Sequence, residues 1–291
     1  MTTTRRPFCS DVSRENAEPL AGTASRVDHW ILLEYRGLWS KDAIAGSGLS
    51  DQVKRHLREQ AVARPHTKVL FIRRTERRGR PKLAVFWGGS AERGGALFHT
   101  EVESYEDVVD LDLTVPGEPL DHPLFLVCTH GKHDPCCARH GRPLYQALAD
   151  LAEPDWVWQV SHVGGDRFAG NVVALPEGLY FGRVNPPAAW RVLDEYLGGR
   201  IALEHYRGRA AYTFAEQAAE RAVRDAAGLT GLDDLELVGQ GQGRVTFRSG
   251  ARIFEVGITF EPRALTYLTC GSETLSHPLH YAAEILREST A

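Results

Sequence analysis

Three of the chain's five cysteines, Cys128, Cys136 and Cys137, fall within ten residues, directly behind the apolar run Leu124-Phe125-Leu126-Val127. A short unbroken apolar run reads as a buried strand. Behind the cysteines, Pro143 to Leu151 carries Leu144, Ala147, Leu148 and Leu151 at helical spacing. The chain here must therefore pass from a strand, through a cysteine-bearing loop, into a helix. Neither the odd count nor the spacing suits a disulfide framework, so metal binding or redox chemistry outranks one. No C-x-x-C is present, and the adjacent pair Cys136-Cys137 is poorly placed for dithiol cycling.

Eight residues separate Cys128 from Cys137. That is enough for a loop to pass over a metal centre and set the second thiolate at a helix start, and longer than the two-residue knuckle of a single-ion site. A second candidate segment is His162-Val163-Gly164-Gly165-Asp166, whose two glycines permit close backbone approach. Two thiolates from Cys128 and Cys137 with two harder donors from His162 and Asp166 give the four ligands a [2Fe-2S] core requires. Cys136, Cys9, Cys270 or water are open alternatives for the fourth position, and each of those cysteines by default reads as a small buried apolar residue. His130, His133 and His140 read as loop hydrogen-bonders or groups supporting the ligands, and Arg167 and Arg183 as structural contacts.

The surrounding pattern predicts a mixed α/β chain in three parts: an N-terminal α/β lobe over 1–117, a thioredoxin-like domain over 118–210, and a C-terminal helix plus β-meander over 211–291. In the first, Trp30–Tyr35, Lys68–Ile72 and Leu83–Trp87 read as strands, and Asp51–Ala63 as a helix with Val53, Leu57 and Ala61 on one face. Pro116-Gly117-Glu118-Pro119 marks the boundary. The second part reads β-α-β-loop-β-β-α, with a hairpin over 172–184 turning at Pro176-Glu177-Gly178 and a helix opening at Asn185-Pro186-Pro187. This order sets the cysteine and histidine segments at strand ends on one rim. In the third, Thr213-Phe214-Ala215-Glu216 is a capping box for a helix to about Ala227. Strands are expected over 244–248, 253–260 and 264–270, with a final helix near 280–287. Gly239-Gln240-Gly241-Gln242-Gly243 leads into a strand and so reads as a turn, not a dinucleotide loop.

A hydrophobic fraction of 43%, 25% charged residues and a net charge of -4 are ordinary for a globular protein and name no partner. No apolar stretch approaches the roughly 20 residues of a membrane span, and no signal peptide is recognisable, so a cytoplasmic protein is expected. Six basic residues in Arg73–Lys82 predict a solvated hairpin tip or a docking surface for an anionic partner.

Three stretches carry a family resemblance: Cys128-Thr-His-Gly-Lys-His-Asp-Pro-Cys-Cys137, Ser161-His-Val-Gly-Gly-Asp-Arg-Phe-Ala-Gly-Asn171 and Leu175-Pro-Glu-Gly-Leu-Tyr-Phe-Gly-Arg183. Trp30-Ile-Leu-Leu-Glu34 and Tyr206-Arg-Gly-Arg209 extend it. The chain resembles the sucrase/ferredoxin-like proteins, whose cluster domain is a thioredoxin-like ferredoxin. The resemblance implies a [2Fe-2S] cluster with Cys128 and Cys137 on one iron and His162 on the other, and Asp166 stands where the family's H-x3-H pattern has its second histidine. It implies one-electron transfer, with ferric iron in a siderophore complex as a possible acceptor. No flavin or NAD motif is visible, so a separate reductase is implied as electron donor. Imidazole in place of thiolate raises the reduction potential, and a free outer ring nitrogen predicts a pH-dependent one. A structural zinc protein and a thiol-disulfide oxidoreductase are the alternative readings. Paired carboxylates suited to sugar hydrolysis are not evident.

Overall fold

The computed structural model describes residues 6–75, 81–92, 94–263 and 265–290. The central part of the basic run at 73–82 lies outside them. After a short helix α1 (Cys9–Glu15), the N-terminal part contains β1 (His29–Glu34), α2 (Asp51–Val62), β2 (Thr67–Arg73), β3 (Leu83–Gly89), β4 (Ala96–Val102) and β5 (Glu118–Pro119). Strand β4 and the two-residue β5 are additions to the sequence pattern. The middle part follows with β6 (Leu124–Cys128), α3 (Pro135–Ala149), β7 (Val157–Val160), β8 (Val172–Leu175), β9 (Leu179–Phe181), α4 (Ala189–Leu197) and β10 (Tyr206–Arg209).

All ten strands form one sheet in the order β10-β9-β8-β6-β7-β2-β1-β3-β4-β5. It hides a repeat that the sequence does not display. In the middle part β6 and β7 are parallel across α3, β8 runs antiparallel to β6, and β9 antiparallel to β8, which is the thioredoxin-like order expected there. In the first part β1 and β2 are parallel across α2, β3 is antiparallel to β1, and β4 to β3. The two units share one connectivity and meet edge to edge through β2 and β7, with Ile72 opposite Val160. Each covers an edge the other would expose. One sheet face carries a core spanning both units, from Trp30 and Leu32 through Ile72 and Val160 to Leu126 and Cys128. On the other face lie two separate cores, one with Val53 and Leu57 of α2, the other with Leu144 and Leu148 of α3. Burial on both faces explains why β1 and β6 read as continuous apolar runs.

The C-terminal part adds α5 (Phe214–Ala227), β11 (Glu236–Gly241), β12 (Arg244–Ser249), β13 (Arg252–Pro262) and β14 (Leu279–Thr290), the strands forming a four-stranded antiparallel sheet. Thr213 and Glu216 make the expected capping box. The glycine-rich stretch ends β11 and turns through Gln242 (φ 50°) and Gly243 (φ 74°), the paired positive φ values of a tight hairpin. Two expectations fail here. Residues 279–290 form a strand in place of the helix expected near 280–287, because the register with β13 (Ala283 opposite Ile258, Ile285 opposite Val256) packs Ala283 and Ile285 on the core under α5, and that packing outweighs local helix propensity. Between β13 and β14, among the described residues of the strand expected over 264–270, Thr266 makes only an isolated bridge to Ser276, and residue 264 lies outside the described residues.

Candidate metal centre

Cys128 closes β6, and α3 begins seven residues later. The helix starts well before the apolar spacing that opens at Pro143. Asp134 caps it, with the Cys136 backbone N–H donating to Asp134 Oδ1 at 2.7 Å, and Pro135 occupies the first helical position. The first turns carry cysteines and a glycine in place of large apolar residues, which is why their periodicity is silent. Gly141 lets this helix lie against the end of β6, since a Cβ there would sit 1.9 Å from the Cys128 carbonyl oxygen. Gly141→Ala is therefore expected to push α3 off β6, costing about 1–3 kcal/mol and lowering metal content, measured by thermal denaturation with metal analysis of the same sample.

His162 follows β7. Ser161 ties this strand end to β2, its backbone N–H donating to the Phe71 carbonyl at 2.8 Å and its hydroxyl accepting from the Phe71 N–H at 3.0 Å. Gly164 (φ 110°) and Gly165 (φ 79°) then reverse the chain so that Asp166 returns toward His162. A buried arginine braces the reversal: Arg207 Nη1 donates to the Gly164 carbonyl at 3.0 Å and to Asn171 Oδ1 at 2.8 Å, while Asn171 Nδ2 donates to the Gly165 carbonyl.

The four residues singled out by spacing meet. Donor atoms of Cys128, Cys137 and His162 lie within 4.8 Å of one another, as do those of His133, His162 and Asp166. Cys137 Sγ–H donates to Asp166 Oδ1 at 3.1 Å. His162 Nδ1 lies 2.9 Å from the same carboxylate oxygen but out of line for a hydrogen bond, so this buried ring nitrogen is without a hydrogen-bond partner. The His133 ring stacks on His162 at 3.7 Å, its Nε2 3.8 Å from Asp166 Oδ2. The thiols and Asp166 are buried and the two imidazoles reach the surface, where a cavity of about 500 Å³ is lined by Lys41, Ile44, Lys68, His130, His133 and His162.

Charge is unevenly held. The Cys128 thiol sits well below its ordinary range, chiefly because of the neighbouring Cys137 thiol, with His162 adding to the effect against the cost of burial. Cys137 is pushed up, first by the neighbouring Cys128 and then by burial and Asp166. For His162 burial opposes protonation, but Asp166 and Cys128 outweigh it and raise the ring to about 9. Burial alone would raise Asp166, yet His162 holds it below the usual carboxylate range. A lowered thiol, a raised imidazole and a lowered carboxyl thus converge in a buried setting. Two soft sulfur donors, an imidazole and a carboxylate brought to one place are a donor set that suits a metal centre.

The other candidates have different tasks. His130 is occupied at both nitrogens, Nε2 with the Ser40 carbonyl at 2.6 Å and Nδ1 accepting from the His162 backbone N–H at 3.3 Å, and so orients the His162–Asp166 loop. His140 Nε2 lies 3.1 Å from Ser10 Oγ. Arg167 pairs with Glu18 at 2.7 Å, and Arg183 donates to the Ser13 and Glu18 carbonyls. Cys136 faces away from Cys137, toward Cys9 and Cys270. Sequence reasoning assigns no role to Lys68 or Arg207. Lys68 Nζ donates to the Val163 carbonyl at 2.6 Å, and burial pushes its ammonium down to about 8, against the attraction of Cys128. Arg207 stands within a family-like stretch, which is its only signal.

A family model described as "Sucrase/ferredoxin-like" matches residues 20–208. The chain belongs to the sucrase/ferredoxin-like family. Among curated proteins it is similar to "Altered inheritance of mitochondria protein 32" of Meyerozyma guilliermondii, at 31% identity over 122 residues, covering 38% of this chain and 43% of the relative. The protein of the same name from Debaryomyces hansenii is 36% identical over 95 residues, covering 29% of this chain and 35% of the relative. Each match thus spans less than half of the relative. Among solved structures, a cysteine-to-serine variant of the thioredoxin-like [2Fe-2S] ferredoxin from Aquifex aeolicus is similar at 19% identity with a TM-score of 0.27, covering 29% of this chain and 97% of that one. The thioredoxin-like order in this family member is read from its own strand pairing. No described helix is long and apolar enough to cross a membrane.

Proposed function

We propose that Cys128, Cys137, His162 and Asp166 hold a [2Fe-2S] cluster and that the protein transfers single electrons. The observation that carries the reading is the meeting, at the strand-end rim of the 118–210 unit, of two buried thiols and a buried carboxylate with an imidazole that reaches the surface. Such a cluster supplies one-electron redox chemistry, at a potential raised by having fewer thiolates than an all-cysteine ferredoxin. The chain's own residues do the rest. Burial of Cys128 and Cys137 keeps water from the sulfurs, Arg207 holds the His162–Asp166 loop, and the partly exposed rings of His133 and His162 form the face through which a partner approaches.

The finer parts of the proposal are a separate reductase as donor, a ferric siderophore or similar small acceptor, and a cytoplasmic setting. Stopped-flow reoxidation of the reduced protein by a ferric siderophore tests the acceptor; a rate no faster than the uncatalysed background removes it.

Anaerobic purification with iron and sulfide analysis, visible absorption and EPR tests the centre. Two irons and two sulfides per chain with visible bands are expected. A colourless protein free of iron would reject the cluster; the same donor set carrying one zinc would favour the structural reading, which the compactness of the site also suits. Asp166→Ala is expected to change the EPR signal or reduce loading. An unchanged spectrum would remove Asp166 from the ligand set. The reduction potential should fall as pH rises if the outer ring nitrogen of His162 takes up a proton on reduction; a flat profile in protein-film voltammetry would show that this nitrogen does not titrate.

A further inference from the structure

We propose that Cys9, Cys136, Cys270 and Asp134 form a second metal site, separate from the first, that binds a single zinc ion. Cys9 opens α1, Cys136 lies in the first turn of α3, and Cys270 sits in the segment between β13 and β14. These segments are more than a hundred residues apart in the chain, yet their sulfurs form a nearly equilateral triangle. Cys9 to Cys136 is 3.6 Å, Cys136 to Cys270 is 3.4 Å, and Cys270 to Cys9 is 3.5 Å. Asp134 Oδ2 completes the group, 3.8 Å from Cys9 Sγ. Cys9, Cys136 and Asp134 are 2%, 0% and 0% exposed, so the site is closed to solvent on most sides.

The spacing selects the occupant. Zinc–sulfur bonds of about 2.3 Å in a tetrahedron place sulfurs about 3.8 Å apart, so the triangle needs to open by only a few tenths of an ångström. An iron–sulfur cluster spreads its thiolates over more than one iron, whereas three sulfurs in mutual contact leave room for one ion. A disulfide closes at about 2.05 Å and would pair two sulfurs while stranding the third beside a buried carboxylate. Three thiolates and one carboxylate form the closed four-ligand set of a structural zinc site, and binding releases the thiol protons.

The sulfurs and the carboxylate are also supported. Ser10 Oγ–H donates to Cys136 Sγ at 3.2 Å and the Cys9 backbone N–H to Cys270 Sγ at 3.4 Å. Backbone N–H groups of Cys136 and Cys270 donate to Asp134 at 2.7 and 2.6 Å, orienting it. These are the outer-shell bonds that fix ligands around a metal. Consecutive residues on a helix point about 100° apart, so α3 sends Cys137 to Asp166 on one side and Cys136 to this site on the other. The two sites share no ligand. Zinc here would pin α1 and the chain around Cys270 to the start of α3.

The test is zinc content of the full chain by inductively coupled plasma mass spectrometry, with peptide-resolved alkylation. We expect about one zinc per chain in wild type and in Cys128→Ser/Cys137→Ser, and at least a tenfold loss in Cys9→Ser/Cys270→Ser. A strong zinc chelator should expose Cys9, Cys136 and Cys270 of wild type to alkylation together, a readout that needs no variant to fold. Three thiols alkylated equally with and without chelator, a disulfide among them, or zinc that disappears with Cys128 and Cys137 instead would each overturn the site. Iron and visible absorption of the same samples report the first centre independently.

Discussion

Cys137→Ala is expected to reduce iron loading at least tenfold and to abolish the visible bands, while the chain remains folded. The two thiols are not equivalent. Cys137 donates to Asp166 Oδ1 and its neighbouring thiol is the main cause of the low Cys128 thiol, so its removal takes away one proposed ligand and also the main group that lowers Cys128. Cys128 should then react more slowly with an alkylating agent at neutral pH in the metal-free variant, because its thiol moves back up toward the ordinary range. The loss of one buried sulfur costs the fold little beside the loss of the centre. Full iron content and an unaltered spectrum in Cys137→Ala would place the centre elsewhere.

The largest effect on stability is expected at Glu220. Its carboxylate is 1% exposed and accepts from Tyr206 Oη at 2.8 Å and from Arg224 Nε at 3.1 Å, with Arg209 Nε at 3.9 Å. Both guanidinium groups are themselves buried and reach into the turn after α5, Arg209 donating to the Leu232 carbonyl and Arg224 to that of Gly231. This network fastens α5 to β10, next to the Arg207 that braces the His162–Asp166 loop. Glu220→Ala leaves two buried cations without their counter-charge, a change that costs about 3–5 kcal/mol. Thermal denaturation should show a fall on the order of 10 °C. Glu220→Gln keeps the acceptor and should lose less. Equal melting temperatures for Glu220→Ala and wild type would mean that the guanidinium groups find other partners.

Several elements are legible in the residues because local chemistry dictates them. The alternation of runs and breaks marks β1, β2, β3, β6 and β7, and the capping box marks the start of α5. The start of α3 escapes the apolar rule, which sees leucines, while the first two turns are set by the Asp134-Pro135 cap and by Gly141 against Cys128. The last strand escapes it for a different reason. Its residues favour a helix in isolation, and only the ladder to β13 makes them extended. The repeat of two thioredoxin-like units is invisible in the residues because it is one of connectivity, with no shared residue pattern to display it.

The same division runs through the candidate centre. Residue type and spacing by themselves determined the chemistry on offer, two thiols with eight residues between them and a histidine and an aspartate across a pair of glycines, because donor identity and loop reach are properties of the chain. They could not determine which sulfur faces which partner. Cys136 and Cys137 are neighbours in sequence, yet the helix turns them apart, and the folding of Cys9 and Cys270 onto one side and of Asp166 onto the other gives each a separate destination. Those destinations depend on contacts between segments far apart in the chain, and only the tertiary structure brings them within bonding distance.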